Sequence, residues 1–280
     1  FCDARGAPVD FVTTHHYPTD AFGNPGDDTK TQLAASTRSV LRDRARATRE
    51  RARGLPLYYT EWNTSSNPRD PLHDEPYAAA VIVKTMLEAT GLVDGYSYWT
   101  FSDIFEENYF PSSPFHGGFG LLNLYGVAKP SYRAFELLHA LGTDLVATWS
   151  GRHPTVDAWV VRRPAGLTVM LTNHALPRHP IETHRVRMRL DGASRPVAAT
   201  VARIDHDHAN AKARWIALDK PAYPSAGQVD LLHEASSLVS ERQPWAFVEG
   251  ALVIEVDIPP HAVAAITLDM HRRSSSHPSE

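Results

Sequence analysis

The feature that most constrains this chain is a change of rhythm near residue 145. Before it, short apolar runs alternate with long helix-forming stretches; after it, short alternating segments follow one another between turns. In the first part, Val9–Thr14 is β-rich and leads into His15, His16, Tyr17 and Pro18. A loop rich in Gly, Pro, Asn and Asp occupies 20–28. Residues 30–53, dense in Ala, Arg and Leu, predict a helix, with Asp28 or Thr29 to cap it and Gly54 past its end. Leu55–Thr60 predicts a second strand, ending at Glu61-Trp62-Asn63. After a polar loop, 64–73, Asp74 can cap a second helix, with Pro76 in its first turn and Gly91 as its stop. Gly95–Phe101 predicts a third strand, 102–128 a long loop, and Lys129–Leu141 a third helix.

Strands that alternate with helices pair in parallel, because the chain must cross back over the sheet between them. Here the unit recurs about every 40 residues, the spacing of a (β/α)8 barrel. Eight units close such a barrel, and these residues supply three, so the expectation is a partial TIM barrel with its earlier units upstream of Phe1. Beyond 145 the segments Ala158–Arg162, Leu167–Thr172, His184–Leu190, Ala199–Ile204, Leu252–Val256 and Ala262–Leu268 predict an antiparallel β-sandwich. The expected domains are therefore the barrel part, 1–143, and the sandwich, 144–270, followed by a polar tail, 271–280, expected to be disordered.

Composition narrows the function class. The 280 residues are 42% hydrophobic and 21% charged, as a folded core requires. A net charge of -4 argues against nucleic acid as a partner. No apolar run approaches the ~18–20 residues of a membrane-spanning helix. The single cysteine, Cys2, can form no internal disulfide. Compartment does not follow from these features, and a homo-oligomer is left open.

In parallel barrels the chemistry sits at the C-terminal strand ends. There this sequence places His15 and Tyr17, then Glu61 and Asn63, then Trp99, Ser102, Asp103, Glu106 and Glu107. Carboxylates and imidazole that bind hydroxyls, beside aromatic faces that stack on a ring, suit a sugar. Retaining glycoside hydrolysis needs two carboxyl groups about 5–5.5 Å apart, and Glu61, directly after an apolar strand, is the candidate nucleophile. Plainer readings exist for each residue. A lone Glu at a strand end is usually a surface or capping group, Trp99 can be core, and Glu106-Glu107 can be a solvated loop. The His-His pair is discounted as a metal site because adjacent side chains diverge on a strand and no third ligand has a recognisable spacing. Asp205-His206-Asp207-His208 has a metal-like composition but lies among sandwich strands, where a turn is expected.

Four segments carry a resemblance: Thr14-His15-His16-Tyr17-Pro18, Tyr59-Thr60-Glu61-Trp62-Asn63-Thr64-Ser65, the run from Tyr98 to Glu107, and Pro114 through Leu122. With them the chain resembles glycoside hydrolase family 39, which includes β-xylosidases and α-L-iduronidases, and most nearly the bacterial β-xylosidases. Arg203-Ile204-Asp205 through Asn210 is similar to that family's sandwich. The resemblance implies that Glu61 is the nucleophile and that Tyr17 hydrogen-bonds it. It also implies that His15 binds a sugar hydroxyl, that Trp99 walls the terminal sugar, and that Glu106 and Glu107 bind xylose hydroxyls. It implies a xylo-oligosaccharide or xyloside substrate and no metal or cofactor.

One departure matters. The family's acid/base is a Glu in an Asn-Glu-Pro motif, and that tripeptide does not occur here. The expectation is an acid/base absent from this chain, whose loss removes ~10²- to 10⁴-fold of rate, and poor folding or aggregation of the isolated polypeptide through its open sheet edges. An α-L-iduronidase-like specificity is the alternative within this chemistry. It would call for a cationic cluster where these strand ends offer acids. An inactive truncated remnant, or a carbohydrate-binding module, is the alternative outside it.

Overall fold

The computed structural model describes residues 2–19, 28–105 and 113–270. A four-residue helix, α1 (Cys2–Arg5), precedes three strands, β1 (Val12–His16), β2 (Leu57–Trp62) and β3 (Gly95–Tyr98), which pair in parallel and in chain order. The crossovers are helical. α2 (Thr29–Ala34) and α3 (Val40–Arg51) join the first two strands, and a 3-10 turn (Pro71–Asp74) with α4 (Pro76–Glu88) joins the second and third. α5 (Pro130–His139) follows β3.

Two expectations are corrected here. The helix read over 30–53 is two helices, because Ser36 turns its hydroxyl onto the Leu33 carbonyl at 2.9 Å and ends α2. Asp28 does cap it, accepting from the Thr31 amide at 2.7 Å. Asp74 does not cap α4: Glu75 holds the N-cap position without a side-chain bond. The Asp74 carboxylate instead accepts from the Gly117 amide at 2.6 Å and pairs with the buried ammonium of Lys129.

The second part holds β4 (Asp144–Trp149), β5 (Val156–Arg163), β6 (Gly166–Asn173), β7 (His184–Asp191) and β8 (Ala198–Ile204). Then come α6 (Ala211–Ala217), α7 (Ala226–Ser236), β9 (Ser240–Arg242), β10 (Trp245–Val248), β11 (Ala251–Ile258) and β12 (Ala262–Asp269). Six strands form one antiparallel sheet in the order β4-β5-β6-β12-β8-β9, and three form another in the order β10-β11-β7. All six predicted strands are present. The two helices were not foreseen, although Ser225 and Gln228 form a capping box at the start of α7. The tail at 271–280 lies outside the described residues.

Alternation along β12 explains the core. Ala262, Ala264, Ile266 and Leu268 face the three-stranded sheet, meeting Leu252, Ile254 and Val256 of β11. Val263 and Ala265 face the other way, into a cluster with Ala79, Ala80, Ile82 and Val83 of α4 and with Trp62 of β2. Small alanines let α4 pack closely on the sheet, so one core runs from the parallel strands into the six-stranded sheet. A buried ion cluster joins the same elements: Lys84 of α4 lies 2.6 Å from Glu88 and 3.1 Å from Asp157 of β5. The described residues thus form a mixed α/β structure with one parallel and two antiparallel sheets.

Candidate active site

The site begins with an irregularity in β2. Thr14 lies opposite Tyr59, yet the next residue, His15, lies opposite Glu61, so Thr60 is one residue extra. A bulge of this kind re-aims the side chain that follows it. Tyr59 and Trp62 keep their places on the helix-covered face, where His16, Tyr59 and Tyr96 stack at centroid distances of 4.1 and 5.3 Å. Glu61 is turned to the open face, at the C-terminal end of its strand.

His15 and Tyr17 reach the same face by ordinary alternation, either side of the buried His16. The Tyr17 hydroxyl donates to Glu61 Oε1 at 2.7 Å, and His15 Nδ1 lies 3.5 Å from Glu61 Oε2. Each carboxylate oxygen thus has its own neighbour. The Glu61 side chain keeps 22% of its surface exposed and His15 61%, so the group is held yet open to a ligand. Trp99 follows Tyr98, which pairs with Trp62 on the covered face, so alternation sends its indole to the open one. There it meets Phe105 edge-on at 5.2 Å. Its peptide with Thr100 is cis.

Behind these residues the connecting loops are tied together. Asn63, fully buried, accepts from the Tyr98 hydroxyl at 2.9 Å and donates to the carbonyls of Trp99 and Phe119. Lys129 lies 2.6 Å from both Asp74 and Asp103 and donates to the Gly118 carbonyl at 3.0 Å. The second oxygens of those carboxylates take the amides of Gly117 and Gly120. A Cβ on Gly120 would stand 2.3 Å from the Asp103 amide, so only glycine passes there. Burial pushes the Asp103 carboxyl above its usual range against the pull of Lys129. Asp103 is therefore occupied structurally; Lys129 is a site-supporting residue that sequence reasoning did not single out, whereas Asn63 was placed at the strand end without a role. Only the position of Asn63, just past the strand end, signalled its place.

Glu106 and Glu107 lie outside the described residues. His16 is core: burial, with Arg44 adding to it, lowers its pKa to about 4. Asp205 to His208 form a turn, with Asp205 Oδ1 accepting from the amides of Asp207 and His208 at 2.9 and 3.0 Å. Among the described residues no three His, Cys, Asp or Glu side chains converge as metal ligands, and no helix is long and apolar enough to cross a membrane. Cavities of about 630 and 450 Å³ lie elsewhere, at the rim of the six-stranded sheet and between α4 and α6. Neither is lined by His15, Tyr17, Glu61 or Trp99. Their size follows from grooves between elements, whereas the convergence on one carboxylate marks the candidate site.

The model of glycosyl hydrolases family 39 matches residues 1–252. The chain belongs to that family. A β-xylosidase of Caldicellulosiruptor saccharolyticus is 41% identical over 271 residues, covering 96% of this chain and 56% of the relative. A β-xylosidase of Geobacillus stearothermophilus is 30% identical, covering 99% of this chain and 55% of its own length. Among solved structures, a monomeric β-xylosidase from Caulobacter crescentus CB15 superposes with a TM-score of 0.75 at 27% identity, over 96% of this chain and 57% of that one. The chain thus spans a little over half the length of the family 39 relatives it matches.

Proposed function

We propose that this family 39 chain carries the nucleophile half of a retaining glycosidase that releases terminal xylose from xylo-oligosaccharides. The observation that carries the reading is the Tyr17–Glu61 hydrogen bond of 2.7 Å, at parallel strand ends that also present His15 and Trp99. The two β-xylosidase relatives support xylose as the sugar. In this mechanism Glu61 attacks the anomeric carbon while a general acid protonates the departing oxygen. A covalent xylosyl–Glu61 ester forms, and water then hydrolyses it with the same partner acting as base. Tyr17 fixes one Glu61 oxygen, His15 takes a ring hydroxyl, and Trp99 walls the sugar. Glu106 and Glu107 are proposed to bind further hydroxyls. No metal or cofactor enters these steps.

The acid/base is proposed to come from outside these 280 residues, which hold no Asn-Glu-Pro. In the same reading β1 to β3 are the last three units of a (β/α)8 barrel spanning 1–143, and the two antiparallel sheets form a β-sandwich domain, 144–270. Both proposals draw on the share of each relative that is matched. The test is Glu61→Ala in the intact gene product, with turnover of an aryl xyloside and an aryl iduronide measured side by side. Turnover of the xyloside should fall by several orders of magnitude. A rate within a few-fold of wild type removes Glu61 from the role, and a preference for the iduronide removes xylose.

A further inference from the structure

We propose that Asn63 is a positioning residue that fixes the nucleophile strand and the indole wall relative to each other; this rests on the glycosidase reading above. The β2–β3 ladder ends with the Trp99 amide donating to the Trp62 carbonyl at 3.0 Å. Past that bond the two chains part, one into the loop at 64–70 and the other toward 100–105. The Asn63 carboxamide fills the gap as a peptide group would. Its Nδ2 donates to the Trp99 carbonyl and, at 3.3 Å, to the Phe119 carbonyl. Its Oδ1 accepts from the Tyr98 hydroxyl at 2.9 Å and the Thr64 amide at 2.6 Å. The side-chain amide thus continues the ladder one step beyond the strands, and adds the glycine-rich loop to it through Phe119.

The group is fully buried, and every one of its hydrogen-bonding positions is used. A buried network satisfied in this way has one arrangement. Glu61 is two residues before Asn63, and the carbonyl that Asn63 holds belongs to Trp99 itself. Without the amide, nothing else among the described hydrogen bonds ties the Trp99 carbonyl. A displacement of about 1 Å in either group costs on the order of 100-fold in rate. Aspartate has the same shape but presents acceptors to both carbonyls. Protonated, it regains one donor, so its effect should depend on pH in a way that a general packing defect would not.

The experiment compares wild type, Glu61→Ala, Asn63→Asp and Tyr98→Phe in the intact gene product on an aryl xyloside between pH 5 and 8. Folded fraction is measured by thermal melting at each pH. For folded Asn63→Asp, kcat should fall about 10- to 100-fold at pH 7.5, with a smaller change in KM. Its ratio to wild type should climb as pH falls, as the introduced carboxylate takes up a proton and bonds the Trp99 carbonyl. A wild-type kcat, or a ratio that does not change with pH, overturns the proposal. If Asn63→Asp does not fold, Tyr98→Phe decides, since it removes only the hydroxyl that seats the amide. A several-fold loss of kcat supports the role, and an unchanged kcat overturns it. Loss of turnover in Glu61→Ala alone leaves the glycosidase reading standing without Asn63, whereas turnover retained in Glu61→Ala removes that reading itself.

Discussion

At the scale of single residues, the two histidines of β1 divide their labour by one step of strand alternation. His15 faces the open side with Glu61. His16 stacks on Tyr59 in the core, and its folded pKa, about 4, lies below the ordinary 6.5. A depressed histidine pKa means that only the unfolded chain takes up a proton between those values. Its contribution to stability is therefore complete above about pH 6.5 and is lost as pH falls toward 4, with a slope approaching ~1.4 kcal/mol per pH unit. His16→Phe keeps a ring in the stack and removes the titration, so the difference in melting temperature between pH 7 and pH 5 should narrow. An undiminished difference would show that His16 is not buried as described. On the open face, Tyr17→Phe deletes the 2.7 Å bond to Glu61. A hydrogen bond to a charged group is worth ~1.5–3 kcal/mol, which converts to roughly 10- to 100-fold in kcat if it is kept in the transition state. Steady-state kinetics on an aryl xyloside check this, and an unchanged kcat would reduce Tyr17 to a bystander.

At the scale of elements, the loop from Ser113 to Lys129 is held by one buried ammonium. Burial works against the charge of Lys129, but Asp74 and Asp103 together hold its pKa above the ordinary value. Lys129→Met leaves two buried carboxylates without their cation, and removing one partner of a buried ion pair costs ~3–5 kcal/mol. Thermal or denaturant melts should show a loss of that size, and a loss under ~1 kcal/mol would mean that water reaches the pair. This ion group also shows where sequence reasoning stops. The strand–helix alternation was legible because each helix carries its own signals, such as Asp28 before α2 and Pro130 at the start of α5. Asp74 looked like a cap because Pro76 follows it, and nothing local reveals a lysine on a later element. The bulge at Thr60 was hidden for the same reason: it exists only in the register against β1. Glu61, His15, Tyr17 and Trp99 could be named without it, since alternation and strand ends are local properties. Asn63's role could not, because its partners lie on two other segments.

At the scale of the molecule, the helix-covered face of the parallel sheet is well packed and the opposite face is not. Trp62, Ala79, Val83 and Val263 share one core across both sequence textures. On the open face Phe11 and Tyr58 meet edge-on at 5.9 Å, with Phe11 55% exposed, and Phe101 and Ile104 are exposed beyond β3. Among the described residues β1 and β3 are both edge strands, each without a strand partner on one side. Across the molecule β4 is also an edge strand, and it carries exposed Leu145, Val146 and Trp149. Exposed apolar side chains beside open strand edges favour pairing with another chain over solvation. The 280-residue polypeptide on its own should therefore self-associate through the parallel sheet. Sedimentation velocity over a range of concentrations should show species larger than the 31.0 kDa monomer, increasing with concentration. Replacing Phe11 and Phe101 together by serine lowers the apolar area of that face without touching the core, and should shift the distribution toward monomer. If the β4 edge drives association instead, the double variant will behave as wild type while Val146→Lys disperses it. A single 31.0 kDa species at every concentration would mean that the open face is satisfied by solvent alone.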